Sequence, residues 1–378
     1  MPEIWTYSDV MEHLTDDVEP DSVQRVQRML RRAIAEVYRD LPKVHNWSYY
    51  LTRGRIVTNA AQSTGTIFYD HTGGTYSRMV VLSGATWPSW AAEGTIYINN
   101  VAYEVDERKS NTQITLKTTS NPAADVASGT AYLLYRDTYT LPDGFGSMQR
   151  LFELQTGRQI DYVAPTEWLG LQYPPSPGMP SRFTVTGSPD SFGSMSIRFA
   201  PPPKDQVAYD FIYRRRPQPL SVESHRLGQV VVFSGNPQIT GVDTNWNSSM
   251  VGSVIRLSAT MGEPTGPYGV RPYTYQRFIT SVTNATTLDI DSAINQIVAG
   301  SYEISSPIDV DNEVMLSAFL RGCECANGLI TDRKQVELRK ARYEEALRLA
   351  MEADDRYVGD RASSAYGQLP YLNYSVQM

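Results

Sequence analysis

The chain has 378 residues, 20% of them charged and 41% hydrophobic, with a net charge of −7. That length carries two or three domains with ample core, and the acidic balance argues against a protein that grips nucleic acid by its phosphates, which needs clustered Lys and Arg. Apolar runs fall short of the ~18 residues that span a bilayer, Met1 to Leu14 is too interrupted by Glu3, Asp9 and Glu12 for a secretory leader, and two cysteines make no disulfide framework. A soluble protein made in a reducing cytoplasm is the expectation.

Thr6 or Ser8 caps a short helix carrying Val10, Met11 and Leu14. A longer helix follows from Asp21, which forms a capping-box-like pair with Gln24. Val23, Val26, Leu30, Ala33, Ile34, Val37 and Leu41 give it one apolar face. Arg25, Arg28 and Arg32 lie on the other side, and Pro42 is expected to end it. After Trp47 the texture changes to short β-branched or aromatic runs punctuated by Gly, Asn, Ser and Pro, which is a strand signature.

That texture occurs twice, with landmarks in the same order. Gly65-Thr-Ile-Phe-Tyr resembles Gly228-Gln-Val-Val-Val, and Trp87 with Gly94-Thr-Ile-Tyr-Ile98 resembles Trp246 with Gly252-Ser-Val-Ile-Arg256. Asn111-Thr-Gln-Ile-Thr-Leu116 then matches Asn284-Ala-Thr-Thr-Leu288, and Gly129-Thr-Ala-Tyr132 matches Gly300-Ser-Tyr302. The pattern predicts two similar small β barrels or sandwiches. The second carries an extra Gly/Pro-rich loop from Met261 to Pro272. Between them, strands are expected at Gln149 to Gln155, Arg182 to Thr186, Ser196 to Phe199 and Ala208 to Arg214, with a helical turn at Thr166 to Leu171.

Two helices close the chain, one starting at Asp309 or Asp311 and one running to Arg356, where Glu344–Arg348 and Glu352–Arg356 form acid-first i,i+4 pairs. Gly359 is expected to stop the second helix. The remaining tail carries Tyr366, Leu369, Tyr371 and Tyr374, which either pack back on their own subunit or, the favoured reading, serve as anchors for docking in a partner's groove.

No chemistry stands out. In a helix, Cys323 and Cys325 point about 200° apart and cannot share a metal. The four histidines are scattered, and no GxSxG, Walker loop, GxGxxG or HExxH is present. The expectation is no catalytic residue, no metal site, no cofactor and no enzyme activity. Arg214, Arg215 and Arg216, followed by Pro-Gln-Pro, are a basic cluster at a strand end; they, with Arg25, Arg28 and Arg32, are candidates for contacts between subunits. Trp87, Trp90 and Trp246 would suit a second reading, a tail or baseplate protein whose β domains bind host-surface glycan; a glycan-degrading enzyme is a third.

Three blocks carry a resemblance. They are Val23 to Trp47 leading to Phe68; the central block with Leu141-Pro-Asp-Gly-Phe145, Ala164-Pro-Thr-Glu167, Gly178-Met-Pro-Ser-Arg-Phe183, Ile197-Arg-Phe-Ala-Pro-Pro-Pro203 and Phe211 to Leu220; and the closing helices with Ala341-Arg-Tyr-Glu-Glu-Ala-Leu347. Together they resemble the head-to-tail connector adaptors of podovirus-like tailed bacteriophages. Position 144 departs from the pattern, being Gly where an acidic residue is common. The resemblance implies a virion neck protein forming a ring of the portal's twelve-fold symmetry. Its implied partners are the portal protein, a tail nozzle or tail tube protein, tail fibres and further copies of itself, with DNA passing through the lumen without specific binding. The architecture expected is α+β: a helical bundle of the N- and C-terminal helices, interrupted by a central β module flanked by two similar β barrels. Its parts are N-terminal helices at 1–54, β copies at 55–138 and 227–305, the central module at 139–226, C-terminal helices at 306–358 and a docking tail at 359–378.

Overall fold

The computed structural model describes residues 4–15, 23–72, 77–168, 176–188, 193–258, 273–294, 298–331 and 335–358. Helix α1 (Tyr7–Thr15) is capped at Thr6, whose backbone N–H and hydroxyl both donate to Asp9 Oδ2, at 2.8 and 2.9 Å. Helix α2 (Val23–Val44) runs through Pro42 instead of stopping there. In a last turn the missing proline donor costs little, and the Leu41 carbonyl is taken by the Trp47 indole N–H at 2.9 Å. Strand β1 (Leu51–Val57) follows.

The first large sheet comprises β2 (Thr66–Asp70), β3 (Met79–Ser83), β4 (Thr95–Ile98), β5 (Val101–Arg108), β6 (Gln113–Leu116), β7 (Val126–Thr130) and β8 (Tyr132–Tyr135). Then come β9 (Thr138–Thr140), β10 (Phe145–Glu153), β11 (Asp161–Tyr162), the one-turn α3 (Pro165–Trp168), β12 (Arg182–Gly187), β13 (Met195–Ala200) and β14 (Ala208–Arg215). A second large sheet is built from β15 (Gln229–Val232), β16 (Gln238–Val242), β17 (Val254–Leu257), β18 (Tyr275–Asn284), β19 (Thr287–Ile290), β20 (Val298–Gly300) and β21 (Tyr302–Ser305). Helices α4 (Leu316–Thr331) and α5 (Val336–Val358) complete the described chain. The α4 helix begins later than its acidic flank suggests, because Asp311 caps a preceding turn, accepting from the backbone N–H groups of Glu313 and Val314 at 2.8 and 3.0 Å.

The two large sheets share one strand order. The first reads β7-β2-β3-β6-β5-β4-β8 and the second β20-β15-β16-β19-β18-β17-β21, each position shifted by thirteen in strand number. The landmark residues fall at matching places. Trp87 and Trp246 are both buried and meet Tyr132 and Tyr302 edge-on, with ring centroids 5.1 and 5.7 Å apart. Those tyrosine hydroxyls donate to the carbonyls of Thr64 and Leu227, each one residue before a paired glycine. Gly65 and Gly228 have φ of +90° and +86°, and a Cβ on either would lie 2.4 Å from a backbone oxygen of the next strand. Both the left-handed backbone and the close approach exclude larger residues there. Each sheet encloses its own core, around Ile67, Ile96 and Leu134 in one case and Val230, Ile255 and Ile304 in the other.

The chain divides into two compact units, Leu51–Arg216 and the combination of Met1–Tyr50 with Pro217–Met378. In the first, β1-β14-β10 form a three-stranded sheet and β11-β12-β13-β9 a four-stranded one, and their inward residues share a core around Phe199, Tyr209 and Phe211. In the second, α1, α2, α4 and α5 share a core around Leu14, Leu30, Ile34, Trp47 and Phe319.

The α+β architecture expected from the sequence, a helical bundle of the two termini framing a central β module, does not hold. Among the described residues the protein is β-rich, 38% strand against 25% helix, with several sheets and no such bundle. The helices are fastened to the β15–β21 sheet within one unit: Tyr7 N–H donates to Ser306 O at 2.8 Å, Ser8 Oγ to Glu303 Oε1 at 2.7 Å, and Arg256 of β17 pairs with Asp9 of α1. Burial of sheet faces that period-two reading treats as solvent-facing overrode the helical framing; β17 and β21 are buried on both sides.

Candidate assembly surfaces

The helical layer is pinned by charged side chains that reach across long sequence separations. Arg256, only 2% exposed, holds Asp9 with two parallel bonds of 2.6 and 2.7 Å and also donates to the Ile4 carbonyl at 2.9 Å. His13 lies 3.3 Å from Glu324, which also receives Arg321 at 2.8 Å. The His13 hydrogen bond, helped by Arg321, holds the Glu324 carboxyl below its ordinary range against the opposing effect of burial. Asp354 of α5 accepts from His45 at 3.1 Å and from both the backbone and hydroxyl of Ser48, and Asp309 accepts from Tyr49 and from the Gln218 N–H. These bonds tie α4 to α1, α5 to the segment after α2, and the stretch before α4 to Tyr49 and Gln218.

An open groove of about 810 Å³ runs between α4 and α5. Val314, Ala346 and Leu349 supply apolar surface, and Arg321, Arg342 and Glu345 supply charge. On α5 the sequence pairs Glu344 with Arg348, but the structure turns Arg348 to Glu345, at 2.9 Å, and to Glu352, leaving Glu344 with Lys340 at 3.9 Å. One guanidinium bridging two carboxylates displaces the single expected pair.

The arginines singled out in the sequence fall in two places. Arg28 and Arg32 are exposed on α2, while the Arg25 side chain lies outside the described residues; Arg31 of that helix forms an ion pair with Glu223 of the same unit at 2.5 Å. Arg214 and Arg215 sit half-buried at the end of β14 and Arg216 is exposed beyond it. The Arg216 N–H donates to the Gly144 carbonyl at 2.6 Å, which ties the run to the turn before β10. Gly144, where the resemblance expects an acidic residue, has φ of +73°, a left-handed conformation that glycine adopts without steric cost.

The same sheet holds arginines that sequence reading passed over. Arg53 and Arg55 of β1 both clasp Asp210 of β14, Arg55 Nε at 2.7 Å. Hydrogen bonds from Arg55 and then Arg53 lower the Asp210 carboxyl to about 2. The available signal was the alternation Arg53-Gly-Arg55, which puts two guanidinium groups on one strand face.

Trp87 and Trp246 are buried, so neither offers a ring face to a sugar, and Trp90 packs partly against the first sheet's core. Cys323 is fully buried and burial pushes its thiol well up; Cys325 is half-buried. Among the described residues no group of three or more His, Cys, Asp or Glu is placed to hold a metal, and no helix is long and apolar enough to cross a membrane. Tyr366, Leu369, Tyr371 and Tyr374, and the Met261 to Pro272 loop, lie outside the described residues.

No curated protein matches the chain. Residues 75–235, from β3 through the whole central block to β15, match the family model of the SU10 adaptor protein. That match supports a phage structural protein of the adaptor type, one that contacts other capsid or tail components.

Proposed function

We propose that this chain is a non-enzymatic head-to-tail adaptor that docks as a ring under the phage portal, joins it to a tail nozzle or tail tube protein, and lines the DNA channel. The adaptor family match over residues 75–235 carries the reading. It is supported by the pinned α4–α5 platform with its open groove, a rigid surface suited to docking another protein. The acidic balance suits a lumen through which DNA passes without being held.

The experiment is to mix purified full-length chain with assembled portal protein of the same phage and image the product by electron microscopy. A coaxial ring stacked on the portal is the expected result. Failure of the two to co-sediment or stack at micromolar concentration would overturn the portal-docking role.

A further inference from the structure

The groove between α4 and α5 is lined on one side by Glu313, Val314, Ser317 and Arg321, and on the other by residues of α5 from Ala341 to Ala353. Ala353 lies only five residues before Val358, where α5 ends, and residues 359–378 follow directly. At a rise of about 1.5 Å per residue, the α5 side of the groove is about 18 Å long and lies about 8 Å from the helix end. A chain spans about 3.3 Å per residue when extended. About three residues therefore reach back to Ala353, and about six more run the length of the groove, which is well within the twenty residues of 359–378.

We propose that the groove is the cradle of the chain's own residues 366–374 before any partner is met. Three observations choose this occupant. Beyond Arg361 the sequence carries no charged residue, while Tyr366, Leu369, Tyr371, Leu372 and Tyr374 recur at short intervals. The groove matches that composition: Glu313 and Glu345 balance Arg321 and Arg342, so it has no net charge to attract an acidic or a basic partner. Its apolar surface includes Leu349, 51% exposed on a helix otherwise rich in charge, and tyrosine suits such a site because its ring is apolar and its hydroxyl tolerates a polar rim. The last observation is the tether. A segment joined by a short linker sees its site at an effective concentration on the order of millimolar, so in a micromolar solution it outcompetes the same segment of a second copy. The proposal goes beyond the portal reading, because it concerns the free chain. A partner that takes the groove must then displace the segment.

The test is disulfide trapping in the full chain. Leu349→Cys is combined with Tyr371→Cys, and Arg356→Cys with Tyr371→Cys is the comparison. Both helix positions are exposed, and Arg356 stands nearer the start of the segment but outside the groove lining. The chain is oxidised with glutathione disulfide at low micromolar concentration, and the bridges are mapped by mass spectrometry, which separates them from any formed by the half-buried Cys325. The result expected is bridging within one chain at least tenfold faster to position 349 than to position 356. Equal rates, or faster bridging to position 356, would describe a segment that samples whatever lies near its tether, and overturn the proposal. Bridges between chains in place of bridges within them also overturn it, giving the groove to a second copy. Portal stacking is read on the unmodified chain, so either reading can fail while the other stands.

Discussion

Arg256 shows how a single side chain can decide where a helix sits. On β17 it occupies the position that Tyr97 holds on β4, and it is covered because α1 brings Asp9 to it. A buried guanidinium without its carboxylate is an uncompensated charge, which costs about 3–5 kcal/mol. Asp9→Asn is therefore expected to lower stability by about that much in urea unfolding. The double change Asp9→Leu with Arg256→Met should recover most of it, because removing both charges removes the desolvation cost as well. An Asp9→Asn variant as stable as the parent would show that the pair contributes little. Sequence reading passed over Arg256 because its partner lies 247 positions away and its own strand reads as an ordinary apolar run.

At the scale of elements, the two large sheets are the part most legible from the sequence. Gly65 and Gly228, Trp87 and Trp246, Tyr132 and Tyr302 mark backbone and core positions that tolerate few alternatives, so their order survived in the residues. The copies differ in one polar detail. Trp246 Nε1 donates to the Tyr302 hydroxyl at 3.0 Å, whereas Trp87 Nε1 has no hydrogen-bond partner although it is buried. Tyr302→Phe leaves both an indole donor and the Leu227 carbonyl unsatisfied, and Tyr132→Phe leaves the Thr64 carbonyl alone. The first is expected to cost about 1–3 kcal/mol and the second about 1 kcal/mol or less, read from the shift in each thermal midpoint. Equal losses would mean that the indole bond contributes nothing. Less legible were β1 and the arginine face. Arg53-Gly-Arg55 shows a strand's alternation, but the strand that pairs with it, with Asp210 lying 155 positions on, is not written in either segment alone. The helical framing failed for a related reason. Apolar periodicity shows that α2 and α4 bury a face, but not that α1 would be bonded to a sheet.

The whole molecule is one chain whose first 50 residues belong with everything after Arg216. The adaptor match covers most of the intervening unit, and Tyr366, Leu369, Tyr371 and Tyr374, the docking anchors expected from the sequence, lie outside the described residues. If these residues serve docking alone, removing residues 359–378 is expected to leave circular dichroism and melting temperature unchanged and to abolish capture by immobilised portal. Undiminished capture by the shortened chain would take the segment out of docking.

The excursion from Leu51 to Arg216 leaves through β1 and returns through β14, and Leu51 faces Arg214 at its base. Mechanically this is a zipper closed at its pull. Tension on the two flanking chain segments would load the β1–β14 ladder from its open end, opening one rung after another instead of shearing seven together.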